Sequence, residues 1–280
     1  MNGKEILQTA HQMAGLSYLA EDSAVVLDAS GIKKVAAGMD VGTAELMLAK
    51  DAGADMLIAH HATFAPGCLD GYKSLSILLE RMVALGAPPA PASKIIHTIQ
   101  DRVRRGRQGN SSNYDRAPSI ARLISMPLMS LQTPLCLVGS RIVQNALNEH
   151  LAAIEEPRLA DVMDGLMTLP ESRKSISPPA LYVGATDDYA GKPVVLFAHE
   201  AAEYPEIALE LFEAGVGTLV LPYASEAVVA AVKEQNIGNL AVMGHVTADS
   251  IGINAFLSYL EGQGAEVIRM SGVINVREEA

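Results

Sequence analysis

Asp55-Met56-Leu57-Ile58-Ala59-His60-His61 sets the fold class. Gly53 precedes this run, and the turn-forming residues Thr63, Pro66 and Gly67 follow it. Four consecutive apolar residues bounded in this way read as a strand covered on both faces, because a strand in a parallel sheet is apolar throughout rather than alternating. Upstream, Ile32 to Met39 reads as a second strand ending at Asp40. Thr43 opens a helix that carries Leu46, Met47 and Leu48 and stops near Gly53. Strand, helix and strand with short connections make a β-α-β unit, whose strands are parallel and whose crossover is right-handed.

The same alternation continues outward. Helices are expected over Lys4–Ala14, Leu75–Leu85, Ala92–Arg105 and Ala117–Ile124, and a strand over Leu135–Val138. Glu155 to Pro179, with four prolines, reads as irregular, either a linker or an edge excursion. Strands then follow at Val194–Phe197, Thr218–Leu221, Leu240–Gly244 and Glu266–Met270. Helices are expected between them at Pro205–Glu213, Glu226–Gln235 and about Asp249–Leu260. The expected fold is therefore α/β, in two lobes divided at 1–155 and 156–280. No fixed-period repeat is visible.

Composition narrows the function. Of 280 residues, 49% are hydrophobic and only 4% aromatic, which gives an aliphatic core suited to packed strands and helices. The formal charge of -11 excludes a general nucleic-acid binder, whose footprint would be basic. Cys68 and Cys136 have no zinc-knot or disulfide-framework spacing, so reduced thiols are expected. The opening residues lack a signal-peptide profile, and no apolar run approaches the ~18 residues of a membrane span. A cytoplasmic protein is the expectation. No Gly-rich phosphate loop and no Gly-x-Ser-x-Gly elbow is present.

Candidate ligands cluster at strand ends, where open α/β sheets place their sites. On a continuing strand His60 and His61 would face opposite ways, so they converge only if the backbone turns at once; otherwise each serves a different ion. The other reading is one buried and one surface histidine. Downstream, Leu240 to Gly244 delivers His245, with Asp249 four residues on. If the helix starts at His245, both side chains share one face; otherwise Asp249 merely complements the helix dipole. Asp115 precedes a helix and is either its N-cap or a ligand. His97 and Asp101 have the same spacing on an exposed helix and read as structural, as do His11 and His150. His199-Glu200 imitates the start of a zinc-protease motif without its second histidine. Arg102, Arg104, Arg105 and Arg107 read as helix C-terminal dipole partners, or as an anion site for a phosphate-bearing substrate.

Val35 to Val41, Asp55 to His61, and Met243-Gly244-His245 with an acid at 249 before Gly252-Ile253 resemble the family named for NGG-one-interacting factor three. Its members are also known as GTP cyclohydrolase I type 2 homologues. The likeness runs from about Ile32 to Leu260. It implies two intertwined α/β lobes with mixed parallel and antiparallel sheets, a dinuclear metal site in the cleft between them, and a ring-shaped homohexamer. Carried over, it makes His60, His61, Asp115, His245 and Asp249 the metal ligands, with no catalytic residue assigned. The chain departs from the pattern at Asp249 (glutamate in the family), Ala62 (proline) and Ser111 (histidine).

Imidazole and carboxylate ligands suit two divalent ions among Zn, Mn, Fe, Co and Ni. The leading expectation is a metal-dependent hydrolase resembling GTP cyclohydrolase, acting on a small, nucleotide-like molecule. The contrary one is a metal-binding hexameric scaffold or regulatory partner without turnover.

Overall fold

A computed structural model describes residues 1–277. The elements begin with α1 (Gly3–Ala14), β1 (Ala24–Leu27), β2 (Lys34–Gly38), α2 (Thr43–Asp51), β3 (Met56–Ala59) and the short α3 (Gly67–Asp70). There follow α4 (Leu75–Leu85), α5 (Pro89–Gly109), α6 (Arg116–Leu123), β4 (Leu128–Ser130), α7 (Thr133–Leu151), α8 (Leu159–Met167) and α9 (Pro170–Lys174). The remainder is β5 (Ala180–Val183), β6 (Pro193–Val195), α10 (His199–Glu203), α11 (Pro205–Glu213), β7 (Thr218–Leu221), α12 (Glu226–Gln235), β8 (Asn239–Val242), α13 (His245–Gly262) and β9 (Glu266–Arg269).

These elements form two compact units interleaved along the chain. The first takes Met1–Leu75, Gln100–Val138 and Gly252–Asn275; the second takes Ser76–Ile99, Gly139–Ile251 and the described residues after Asn275. The first unit holds a five-stranded sheet in the order β1-β4-β3-β2-β9. β2, β3, β4 and β9 run parallel, whereas β1 is an antiparallel edge on β4 with a register shift between Val25 and Leu27. The expected β-α-β unit is present, with Val35 opposite Met56 and Gly38 opposite Ala59. β3 is central and buried along its whole length, which explains its unbroken apolar sequence. Leu46 and Ala49 of α2, with Ala117 and Ala121 of α6, pack on Leu57 and Leu128 in one buried cluster. Each fully buried leucine there contributes about 1.5–3 kcal/mol of hydrophobic stabilisation.

The second unit repeats the plan with four strands, β5-β8-β7-β6. β6, β7 and β8 are parallel, and β5 is the antiparallel edge, again with a register shift, between Leu181 and Val183. Leu219 and Leu240 of the sheet, Ile207 and Leu211 of α11, and Val228 and Val232 of α12 are all buried.

Three expectations are corrected. Leu135 to Val138 is not a strand but part of α7; the strand is β4, seven residues earlier. Leu135 and Val138 are buried, and that i, i+3 pair is a helical stripe that four consecutive apolar residues conceal. Glu155 to Pro179 is not irregular throughout, because α8 and α9 lie within it. Pro170 is the first residue of α9, a position that needs no amide hydrogen, so proline there starts a helix rather than breaking one. The last long helix begins at His245, four residues before the expected start.

Candidate metal centre

In the first unit, parallel pairing continues two residues past β3. The His60 amide donates to the Gly38 carbonyl at 2.8 Å and the His61 amide to Met39 at 3.0 Å. The Thr63 amide then donates to the His61 carbonyl at 2.9 Å, closing a turn. The imidazole centroids lie 5.1 Å apart, tilted by 46°. The backbone bends at His60 and His61 while their amides stay paired.

Both rings are held by Nδ1. His60 is buried, with Nδ1 3.0 Å from the Leu131 carbonyl oxygen. A carbonyl only accepts, so Nδ1 carries the proton and Nε2 the lone pair. The His61 Nδ1 is 2.9 Å from Asp40 Oδ1, giving the same tautomer. Asp40 lies two residues past β2, where the Ser271 hydroxyl donates to its carbonyl oxygen. A histidine whose Nδ1–H is bound by a carboxylate or carbonyl is oriented, and made more basic, for ligation through Nε2.

Cys136 joins this group. Its Sγ is 3.7 Å from His60 Nε2, and α7 carries it three residues after the helix starts. That start is pinned by Asp22, whose carboxylate accepts from the Thr133 hydroxyl at 2.5 Å and from the Ser23 hydroxyl at 2.9 Å.

In the second unit the histidine and acid sit at the start of α13. Gly244 joins β8 to α13 with φ 86°, and a Cβ at this position would collide with the Ser177 carbonyl oxygen. The helix begins at His245, so His245 and Asp249 share a face, as the i, i+4 spacing requires. The His245 Nε2 is 3.1 Å from Asp249 Oδ2, with the carboxylate buried and the imidazole 45% exposed. A carboxylate oxygen and an imidazole nitrogen this close need a proton or a cation between them. The Tyr223 ring lies 4.9 Å from that of His245, and the Tyr223 hydroxyl hydrogen-bonds to His199 Nδ1. Burial, then the nearby Glu203 carboxylate, raises the Tyr223 pKa far above its ordinary value, so the phenol keeps its proton.

The described residues thus include His/Cys/Asp groups that could hold a metal. His60 with Cys136, and His245 with Asp249, offer ligand atoms within 4.8 Å of one another. Asp115 is placed differently. It stands at the N-cap of α6 without capping it, and both carboxylate oxygens accept from Arg122 at 2.7 Å. Asp101 pairs with Arg104 and Arg105 rather than with His97, and Arg107 points at Cys68 Sγ. Arg104 and Arg105 are thus compensated by Asp101 within a helix that extends past Gly106 to Gly109. His11 is structural as expected: it is buried, with Nδ1 on Leu7 and Nε2 accepting from the Ala20 amide.

Asp40, Cys136 and Tyr223 carry no motif in the sequence, and His199 carries only a weak one. Asp40 and Tyr223 each lie two residues beyond a strand's carboxyl end, a position that could have flagged them. Cys136 was hidden by the strand assignment at Leu135–Val138.

No protein-family model matches the chain, and no curated protein does. Among solved structures, an NIF3 superfamily protein from Sphaerobacter thermophilus is 34% identical over 97% of this chain and 98% of its own, with a TM-score of 0.89. Reduced HcgD from Methanocaldococcus jannaschii is similar at 14% identity, over 96% of this chain and 97% of its own, with a TM-score of 0.59. A Bacillus cereus protein related to NIF3 is similar at 11% identity, over 96% of each chain, with a TM-score of 0.53. The two remote likenesses concern the fold alone. The first is a full-length relationship at substantial identity, and it joins the doubled histidine and the His245–Asp249 pair in one conclusion: the chain belongs to the NIF3 superfamily.

Proposed function

We propose that the protein is a divalent-metal-dependent hydrolase acting on a small, nucleotide-like substrate, with His60, His61, Asp115, His245 and Asp249 as metal ligands. The observation that carries this reading is the common tautomer of the doubled histidine. With Nδ1 of His60 on a carbonyl and Nδ1 of His61 on a carboxylate, both Nε2 lone pairs are fixed before any ion arrives. The 3.1 Å separation of His245 Nε2 and Asp249 Oδ2 also lets both atoms reach one ion at about 2.0–2.2 Å with a ligand angle of about 95°. The donor set therefore fits a divalent ion of the Zn, Mn, Fe, Co and Ni group.

Paired divalent ions bound there would supply a deprotonated water and polarise the bond it attacks. The chain's own residues set the frame for that chemistry. Asp40 orients His61, Leu131 orients His60, and Gly244 allows α13 to begin at His245. Tyr223, held protonated beside His245, is a hydrogen-bond donor for a substrate oxygen. Asp115 would join the ligand set by releasing Arg122. The family resemblance adds a homohexamer, and the acidic composition and reduced thiols add a cytoplasmic setting.

The bidentate hold of Arg122 on Asp115 favours a second reading, in which the protein binds metal without turning over a substrate. Turnover of a panel of phosphoesters, nucleotides and cyclic amides by metal-loaded protein separates the two. The hydrolase reading expects activity against at least one member, abolished in His245→Ala. Stoichiometric metal with no turnover across the panel selects the scaffold. Mass in solution tests the hexamer.

A further inference from the structure

The strand-to-helix junctions of the two units correspond. β4 and β8 each lie beside the antiparallel edge strand of their sheet, and each is followed by two residues and then a long helix, α7 or α13. In the second unit that helix brings His245 and Asp249. In the first unit it brings Cys136, 3.7 Å from the lone-pair nitrogen of His60. For a tetrahedral ion with a sulfur ligand at about 2.3 Å and an imidazole at about 2.0–2.1 Å, the two donor atoms stand about 3.6 Å apart. The observed separation matches that span. In the metal-free protein the thiol hydrogen-bonds to that nitrogen, and the Leu131 carbonyl fixes His60 Nε2 towards the sulfur.

From this geometry we propose that Cys136 is a thiolate ligand to the ion held by His60. The inference rests on the metal-binding reading above and narrows it. Binding replaces the thiol proton, which leaves to solvent, by the cation. A sulfur donor at one position selects a thiophilic ion, zinc or cobalt rather than manganese. Of the two cysteines, only Cys136 faces a histidine; Cys68 is buried against Arg107.

Cobalt(II) is the probe, because a thiolate ligand gives a sulfur-to-cobalt charge-transfer band in the near ultraviolet, separate from the visible d–d bands reporting any protein-bound cobalt. Metal-free full-length protein is titrated with cobalt. The expected result is both sets of bands in the wild type and in Cys68→Ser, with the charge-transfer band lost and the d–d bands kept in Cys136→Ser. Visible bands without charge transfer in the wild type, or a charge-transfer band surviving in Cys136→Ser, overturn the assignment while leaving metal binding intact. No cobalt absorption at all in the wild type overturns the metal-binding reading and this inference with it. Loss of both band sets in Cys136→Ser, with its circular dichroism unchanged, still identifies the thiolate as a ligand; loss with altered dichroism moves the decision to extended X-ray absorption of the wild type, where a sulfur scatterer supports the assignment and its absence overturns it.

Discussion

The two units arrange the ends of their strands in the same way and fill them with different chemistry. Past β2 lies Asp40, which binds His61 past β3. Past β6 lies His199, which binds Tyr223 past β7. β2 and β3 are parallel neighbours in one sheet, and β6 and β7 are parallel neighbours in the other. One layout thus yields a carboxylate-oriented imidazole in the first unit and an imidazole-bound phenol in the second. Parallel sheets leave two adjacent strand ends pointing the same way, so a pair of linked polar side chains arises at the same place whatever its identity. Topology thus sets the position, and single residues set the chemistry. A change in the shared scaffold should cost both units alike, and a change in the side chains should act on one.

The largest effect should come from the scaffold. Leu57 of β3 and Leu219 of β7 are fully buried at corresponding strands, and Leu→Ala at either site should cost about 2–5 kcal/mol, measured by chemical denaturation. A cost at one site several-fold that at the other would break the correspondence. Next comes the junction before the helix. Gly244 has φ 86° and no room for a Cβ, so Gly244→Ala should cost about 1–3 kcal/mol and weaken metal binding through His245. Gln132→Gly at the matching junction should instead weaken metal binding through the doubled histidine, because the Gln132 side-chain oxygen accepts from the Ala62 amide at 3.0 Å, next to His61. Isothermal titration with zinc measures both losses.

Asp40→Asn should lower metal affinity by about 10–100-fold, the usual cost of losing the group that orients a ligating histidine. His199→Ala, its counterpart, should leave affinity within about twofold, because Tyr223 is not among the ligands. Equal losses in the two variants would erase the chemical difference between the units.

The smallest effect is a pH dependence seated in the first unit. Burial, the largest influence, lowers the His11 pKa below its ordinary 6.5, and the Ala20 amide needs the unprotonated Nε2. The unfolded chain therefore binds the proton first. The stability this provides is complete above the ordinary histidine pKa and declines as pH falls from about 6.5 towards the folded value. Thermal melts of His11→Gln should show a shallower decline over that range than the wild type, and identical slopes would contradict it.

How much of this was legible before folding follows from the same division between topology and side chains. The run from Asp55 to His61 announced a buried parallel strand and the histidines at its end, because both-face burial leaves an unbroken apolar signature. His245 and Asp249 announced a shared helical face by spacing alone. The correspondence of the two units left no sequence trace: it lies in strand order and connection length, while the paired positions carry Asp40 against His199 and His61 against Tyr223. The edge strands β1 and β5 are only partly buried, so their composition lacked the apolar contrast that marks a central strand. Cys136 was obscured for a related reason, since one turn of α7 and a short strand look alike over four apolar residues.

The proposed metal binding takes ligands from the first unit through His61 and from the second through His245. Its most direct test is elemental analysis of dialysed wild-type protein beside His61→Ala and His245→Ala, each checked for folding by circular dichroism. Binding of this kind predicts stoichiometric divalent metal in the wild type and clear loss in both folded variants, one from each unit. Metal retained at the wild-type ratio in either variant would contradict it.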